Sequence, residues 1–163
     1  MRLQQNSLLA LFSLVEFASD PLRHISAAEI ANKYAVSSHH LAKVLAELAR
    51  AGIVQSVRGV RGGYRFAANA RRLTMLDVIA RFEDVGSGTT ERNGRTPADR
   101  ALSLVLSEID EMAKATLKSV TLATLVRLTQ SERDAEPDRQ DRKAAKGNSG
   151  EAAGTGGVAE RGR

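Results

Sequence analysis

Between Ser26 and Ala67 the chain carries a helix start, a three-residue turn, a second helix start and two strand-like runs in unbroken succession, an order that few folds accommodate. In "SAAEIANKY", Ser26 precedes Glu29 by three residues. A serine hydroxyl so placed accepts from the third backbone N–H of a helix, while the glutamate reaches back to the serine N–H. Two donors that a helix end leaves orphaned are thereby satisfied together. The helix is short, with Ala27, Ile30, Ala31 and Tyr34 for an inner face and an end near Tyr34. "AVS" makes a three-residue turn. Ser37 or Ser38 then caps a second helix, whose Leu41, Val44, Leu45 and Leu48 recur on one face, and Gly52 fits its C-terminal stop.

A short capped helix, a tight turn and a helix with polar leading residues form the helix-turn-helix pattern. When that motif meets DNA, the second helix lies in the major groove with its N-terminal residues toward base edges. Here those residues are Ser37, Ser38, His39, His40 and Lys43; none is acidic and all can donate hydrogen bonds. A helical hairpin in an ordinary core shows the same spacing, and the residues after Gly52 separate the two. "IVQSV" (Ile53–Val57) and "GYRFA" (Gly63–Ala67) are rich in β-branched and aromatic residues and bracket "RGVRG". They predict a β-hairpin directly after the second helix, which makes a winged helix. The hairpin tip carries Arg58 and Arg61 outward, and Gly59, Gly62 and Gly63 let the backbone turn tightly and approach a phosphate. An inserted arginine suits the negative potential of a narrow minor groove. A nucleotide-cradling loop is disfavoured: "GVRGG" matches neither glycine-rich phosphate motif, and a strand, not a helix, comes after it.

Charge agrees. Residues 1–72 hold 10 Lys/Arg against 4 Asp/Glu, a net of +6, whereas residues 73–130 hold 7 against 8, a net of −1. A basic N-terminal module is an electrostatic footprint for nucleic acid. The chain has no cysteine, which excludes disulfides, thiol nucleophiles and thiolate metal sites. No Ser-His-Asp arrangement, carboxylate pair or metal cluster stands out, so no enzyme is expected. No run reaches the ~18 apolar residues of a membrane span. Glu16 and Asp20 interrupt the apolar start, so an amphipathic first helix is preferred to a signal peptide and the expected location is cytoplasmic, at the nucleoid.

Around the winged helix, Leu8, Leu9, Leu11, Phe12, Val15 and Phe17 make the stripe of a buried first helix, ended by "SDP". "RRLTMLDVIARFEDV" (Arg71–Val85) reads as a further helix capped by Thr74 with Asp77 in its first turn, and Met75, Leu76, Val78, Ile79 and Phe82 as core. "GSGTTERNGRTP" is a loop. Thr96 and Pro97 open a long helix, in which Leu102, Val105, Leu106, Ile109, Met112, Ala113, Leu117 and Val120 repeat over more than five turns. That stripe exceeds what so small a domain needs for itself and predicts a homodimer. "TLATLVRLTQ" reads as a short final helix after a bend near Thr121. From Ser131 a single Val is the only large aliphatic residue, so disorder is expected there. The fold class is mainly α with a small β-hairpin. A winged helix-turn-helix spans 1–85, a loop 86–96, a dimerisation helix and short terminal helix 97–130, and a disordered tail 131–163.

In "MRL", "AAEIANKYAVSSHHLAKVLAELARAGIVQSVRGVRGGYRFA", "LTMLDVIARFE" and "VTLATLV", taken in that order, the chain resembles the winged-helix regulators of the Rrf-two family from Met1 to about Gln130. The resemblance implies a homodimeric transcription factor, read here as a repressor, on double-stranded DNA at a pseudo-palindromic operator. It implies Arg58 as the minor-groove arginine and Ser37, His39, His40 and Lys43 among the recognition positions. Arg2 and Ser26 are assigned to the DNA backbone. Ala42 falls where a cluster-binding member has a glutamate that tunes specificity, and Arg61 replaces a frequent glycine or proline. Cluster-binding members carry three cysteines in the loop before the long helix; "DVGSGTTERNGRTPADRAL" has none. A cysteine-ligated cluster therefore cannot form. Asp84, Glu91 and Asp99 are read as solvated charges, and neither a metal nor a cofactor is expected. The alternative is an adaptor regulating a metabolic enzyme through the same fold; the effector, small molecule or protein, is left unassigned.

Overall fold

The computed structural model describes residues 3–59, 62–85 and 96–147, with side chains as far as Ala135. Among these residues six helices and two strands succeed one another: α1 (Gln5–Ser19), α2 (Ala27–Lys33), α3 (Ser38–Arg50), β1 (Val54–Val57), β2 (Gly63–Phe66), α4 (Met75–Ile79), α5 (Pro97–Ser119) and α6 (Leu122–Gly147). The mainly helical architecture with one antiparallel hairpin is the one the sequence predicts.

Three helix starts are built from reciprocal caps. Ser26 Oγ accepts from the Glu29 N–H and Glu29 from the Ser26 N–H. Thr74 and Asp77 do the same for α4, and Thr96 and Asp99 for α5, where Pro97 occupies the first turn. Ser37, not Ser38, caps α3, its Oγ accepting from the His40 N–H. Each such cap stabilises a helix end by about 1 kcal/mol.

Burial does the larger share of the work. Leu9, Leu14 and Phe17 of α1, Ile30 of α2 and Leu41, Val44, Leu45 and Leu48 of α3 form one core with Ile53, Val54, Val78, Ile79 and Leu122. Each fully buried side chain of this size contributes about 1.5–3 kcal/mol. The first-helix stripe differs from the expected one: Leu8 and Phe12 are 37% and 42% exposed, whereas Leu14 is fully buried. α1 is apolar around much of its circumference, so periodicity alone does not select its inner face. Phe12 instead stacks flat on Tyr34 at 4.9 Å, and Glu16 accepts from Lys33 Nζ and Tyr34 Oη, both at 2.7 Å, tying α2 to α1.

The hairpin pairs Val54 with Phe66 and Val57 with Gly63, and Ile25 adds a bridge to Tyr64 on its other edge. α4 is shorter than expected from Arg71–Val85. It closes at Ala80, and the residues beyond it turn back so that the Glu83 carboxylate reaches the start of α1. α5 ends at Ser119. Val120 is extended, its carbonyl accepts from Met75, and Leu122 N–H donates to Leu73, which fixes the bend expected near Thr121.

The chain divides into two compact units, Met1–Arg127 and Leu128–Arg163. In the second, α6 runs on to Gly147, past the Ser131 boundary at which disorder is expected. Between Ser131 and Gly147 stand three Ala, three Arg, two Lys and two Glu, which favour helix intrinsically, beside three Asp and Pro137, which do not. The rest of the expected tail, residues 148–163, lies outside the described residues.

Candidate nucleic-acid interface

α3 has one buried stripe, Leu41, Val44, Leu45 and Leu48, and the positions opposite it face outward: Ser38, His39, Ala42, Lys43 and Ala46 are all exposed. The two alanines leave this face low, so that its backbone can approach a partner closely. Sequence reasoning singled out the polar members but not Ala46, which only the burial pattern identifies. Ser37 is exposed at the cap, with its hydroxyl already accepting from His40 N–H. His40 departs from the other four residues expected to read bases. It is half-buried on the flank of α3, and its Nε2 is shielded and without a hydrogen-bond partner.

The wing comes directly after α3. Arg58 is exposed where β1 ends. Gly59 sits at a φ of +121°, a conformation that side chains avoid, and its carbonyl accepts from the Gly62 N–H at 2.9 Å to close the tip. Gly63 also meets a packing demand that the sequence does not announce. A Cβ there would lie 2.6 Å from the Ile25 carbonyl oxygen, so glycine lets the Ile25 segment pair with β2. Arg65 lies across from Gln55, and its Nε and Nη2 both donate to Gln55 Oε1, at 3.0 and 2.6 Å. That pairing depends on the hairpin register and carries no sequence signal. Arg61 and Arg2 lie outside the described residues.

Ser26 is committed within the protein by its capping box. The Glu29 carboxyl is held below its usual range, first by the backbone N–H and then by the hydroxyl of Ser26, with Arg23 at 2.8 Å adding to the effect. Asp77 is lowered in the same way by Thr74.

No residue of α5 is buried within its own chain. Among the expected dimerisation residues, Leu102, Val105, Ile109 and Met112 are exposed, as is Leu104, whereas Leu106 and Leu117 are half-buried and Leu117 packs on the core. Exposed aliphatic side chains along one helix mark an interaction surface.

A helix-turn-helix with an adjoining wing and a long uncovered helix is matched over residues 3–128 by the family model of Rrf2, iron-dependent transcriptional regulators. The chain belongs to the Rrf2 family. It is 47% identical over 134 residues to a putative HTH-type transcriptional regulator, BadM, of Rhodopseudomonas palustris, covering 82% of this chain and 86% of that protein. The solved structure of CymR, the global cysteine regulator of B. subtilis, superposes with a TM-score of 0.68 at 26% identity, covering 78% of this chain and 98% of that one. IscR of T. potens superposes with a TM-score of 0.61 at 25% identity, over 79% and 88% of the two chains. This Rrf2 chain is thus a transcriptional regulator of the DNA-binding helix-turn-helix class.

The Rrf2 family is described as iron-dependent, and the residues of this chain do not fit an iron centre held by thiolates. Cysteine is absent from all 163 residues. No group of three or more His, Cys, Asp or Glu among the described residues is arranged to hold a metal ion. Asp99 is occupied by the Thr96 N–H and hydroxyl, and Glu91 lies outside the described residues. No helix among the described residues is long and apolar enough to cross a membrane.

Proposed function

We propose that this Rrf2 protein is a homodimeric, sequence-specific repressor of transcription that reads a pseudo-palindromic operator without an iron–sulfur cluster. The observation that carries this reading is the outward face of α3, low and polar at Ser38, His39, Ala42 and Lys43, beside a wing with Arg58 exposed at its tip. The N-terminal half of α3 enters the major groove, where Ser38, His39 and Lys43 meet base edges or phosphates. Arg58 enters the adjoining minor groove. Arg61 and Arg2 add backbone contacts, Ser37 and Ser26 flank them, and Gly59, Gly62 and Gly63 shape the wing. His40 lies half-buried on the flank of α3, behind the residues that face the groove. The exposed aliphatic residues of α5 join two copies, so that two α3 helices lie about 34 Å apart, one turn of DNA. The protein works in the cytoplasm, on nucleoid DNA.

Selection from random duplexes by gel shift tests this directly. The expected product is a palindrome whose half-sites are about one helical turn apart, bound with an affinity that falls steeply with salt as phosphate-bound counterions are released. A pool that enriches no palindrome would overturn the reading. A reporter placed behind the enriched site should then be silenced.

A further inference from the structure

The flank of α3 next to its outward face meets the start of α1 and the residues after α4 in a cleft of about 280 Å³, lined by Asn6, Lys43, Val44, Glu47, Arg81 and Phe82. Its two cations are uncommitted: Lys43 and Arg81 are exposed, and among the described residues neither side chain makes a hydrogen bond or a salt bridge. Arg81 acts only through space, on Asp77. The acids nearby are spoken for. Glu47 pairs with Arg50, and Glu83, next after Phe82, accepts from the Gln4 N–H and the Ser7 hydroxyl. Two like charges on one concave surface, against the one lining carboxylate of Glu47 that Arg50 already pairs, leave the cleft net positive and favour an anion between them. Asn6 adds an amide that can donate or accept. Val44 and Phe82 supply an apolar wall, which a bare inorganic ion does not use.

We propose that this cleft binds a small organic anion, a carboxylate or phosphate monoester with a short apolar group, held by Lys43 and Arg81. The volume lies near the lower end of small-molecule sites, which suits a compact ligand. Lys43 also belongs to the outward face of α3, so the anion and DNA draw on the same cation. Each therefore weakens binding of the other by the same factor. This coupling rests on the DNA reading above; binding of the anion does not. The site supplies a signal input that needs no cysteine.

Phenyl phosphate is the probe, titrated into the full chain by calorimetry and by NMR of backbone amides, with inorganic phosphate and phenol as controls. Saturable binding is expected, with shifts at Asn6, Lys43 and Arg81, tighter than for inorganic phosphate and absent for phenol. Arg81→Gln should weaken it about tenfold or more, the usual result of losing a charge-assisted hydrogen bond. Unchanged affinity in Arg81→Gln, or equal affinity for inorganic phosphate, overturns the proposal. On the selected operator at constant ionic strength, phenyl phosphate should weaken DNA binding by the wild type and not by Arg81→Gln. If Arg81→Gln by itself lowers DNA affinity and reduces the salt slope by about one, the cleft serves a DNA phosphate and the effector site is rejected. Arg81-dependent binding of phenyl phosphate in a protein that selects no DNA would keep the anion site and reject the DNA reading.

Discussion

The Glu83 carboxylate accepts the backbone N–H of Gln4, at 3.1 Å from one oxygen and 3.3 Å from the other, across 79 positions of sequence. The Ser7 hydroxyl donates to the same carboxylate. Gln4 is the N-cap of α1, and its own side chain makes no capping bond. Glu83 thus supplies the missing cap from outside the helix and places a negative charge at the positive end of its dipole. Glu83→Ala removes the cap and strands the buried Ser7 hydroxyl. The expected loss is about 1–3 kcal/mol, seen as a lower urea midpoint at an unchanged slope. A wild-type midpoint would show that α1 is anchored by other means.

Gly63 packs closely against the segment that precedes α2. A Cβ there collides with backbone atoms of Ile25, which cannot swing aside as a side-chain tip can. Gly63→Ala should cost about 1–3 kcal/mol and break the Ile25–Tyr64 bridge. Faster amide exchange at Tyr64, whose N–H donates to Ile25 at 2.9 Å, is the local readout.

Arg58 and Arg65 are both exposed wing arginines, yet they should differ on DNA. Arg65 spends two donors on Gln55. Arg58→Ala should weaken operator binding by about 1–3 kcal/mol and Arg65→Ala by less than half as much. Titration of both variants at one salt concentration decides it; equal losses would assign Arg65 to the groove as well.

Ile109 is 50% exposed at the middle of α5. A carboxylate there has no cost in a lone chain and a large one inside an apolar interface. Ile109→Asp should raise the dimer dissociation constant at least about 100-fold by sedimentation equilibrium while leaving monomer stability within about 0.5 kcal/mol. A variant that remains dimeric at wild-type concentrations removes α5 from the interface.

The depressed Asp77 carboxyl links stability to pH. Its pKa is lower in the folded chain, owing first to the Thr74 N–H and then to the Thr74 hydroxyl. The folded state therefore releases the proton more readily, and the stabilisation is complete above the ordinary carboxylate range. It is lost as pH falls through the depressed value. Asp77→Asn should be less stable than wild type at neutral pH, with the gap closing as pH falls below the ordinary carboxylate range. A gap that stays constant with pH would place the effect in shape and not in charge.

Features whose partners lie within a few residues were legible in the amino-acid order alone. Ser26 with Glu29, Thr74 with Asp77 and Thr96 with Asp99 are three-residue relationships, so the helix starts and the helix-turn-helix could be read along with the hairpin. A hydrogen bond closed over three residues costs little chain entropy and leaves a local pattern. Whatever depends on distant chain was settled by packing. It turned Leu8 and Phe12 outward on a helix apolar nearly all round, and drew His40 to the flank of α3. It set Gly63 against Ile25, Arg65 against Gln55 and Glu83 against Gln4. It also brought Lys43 and Arg81, 38 positions apart, to one cleft. Such meetings arise from how packed helices bury their common core, and the residues that meet show no periodicity by which to find one another.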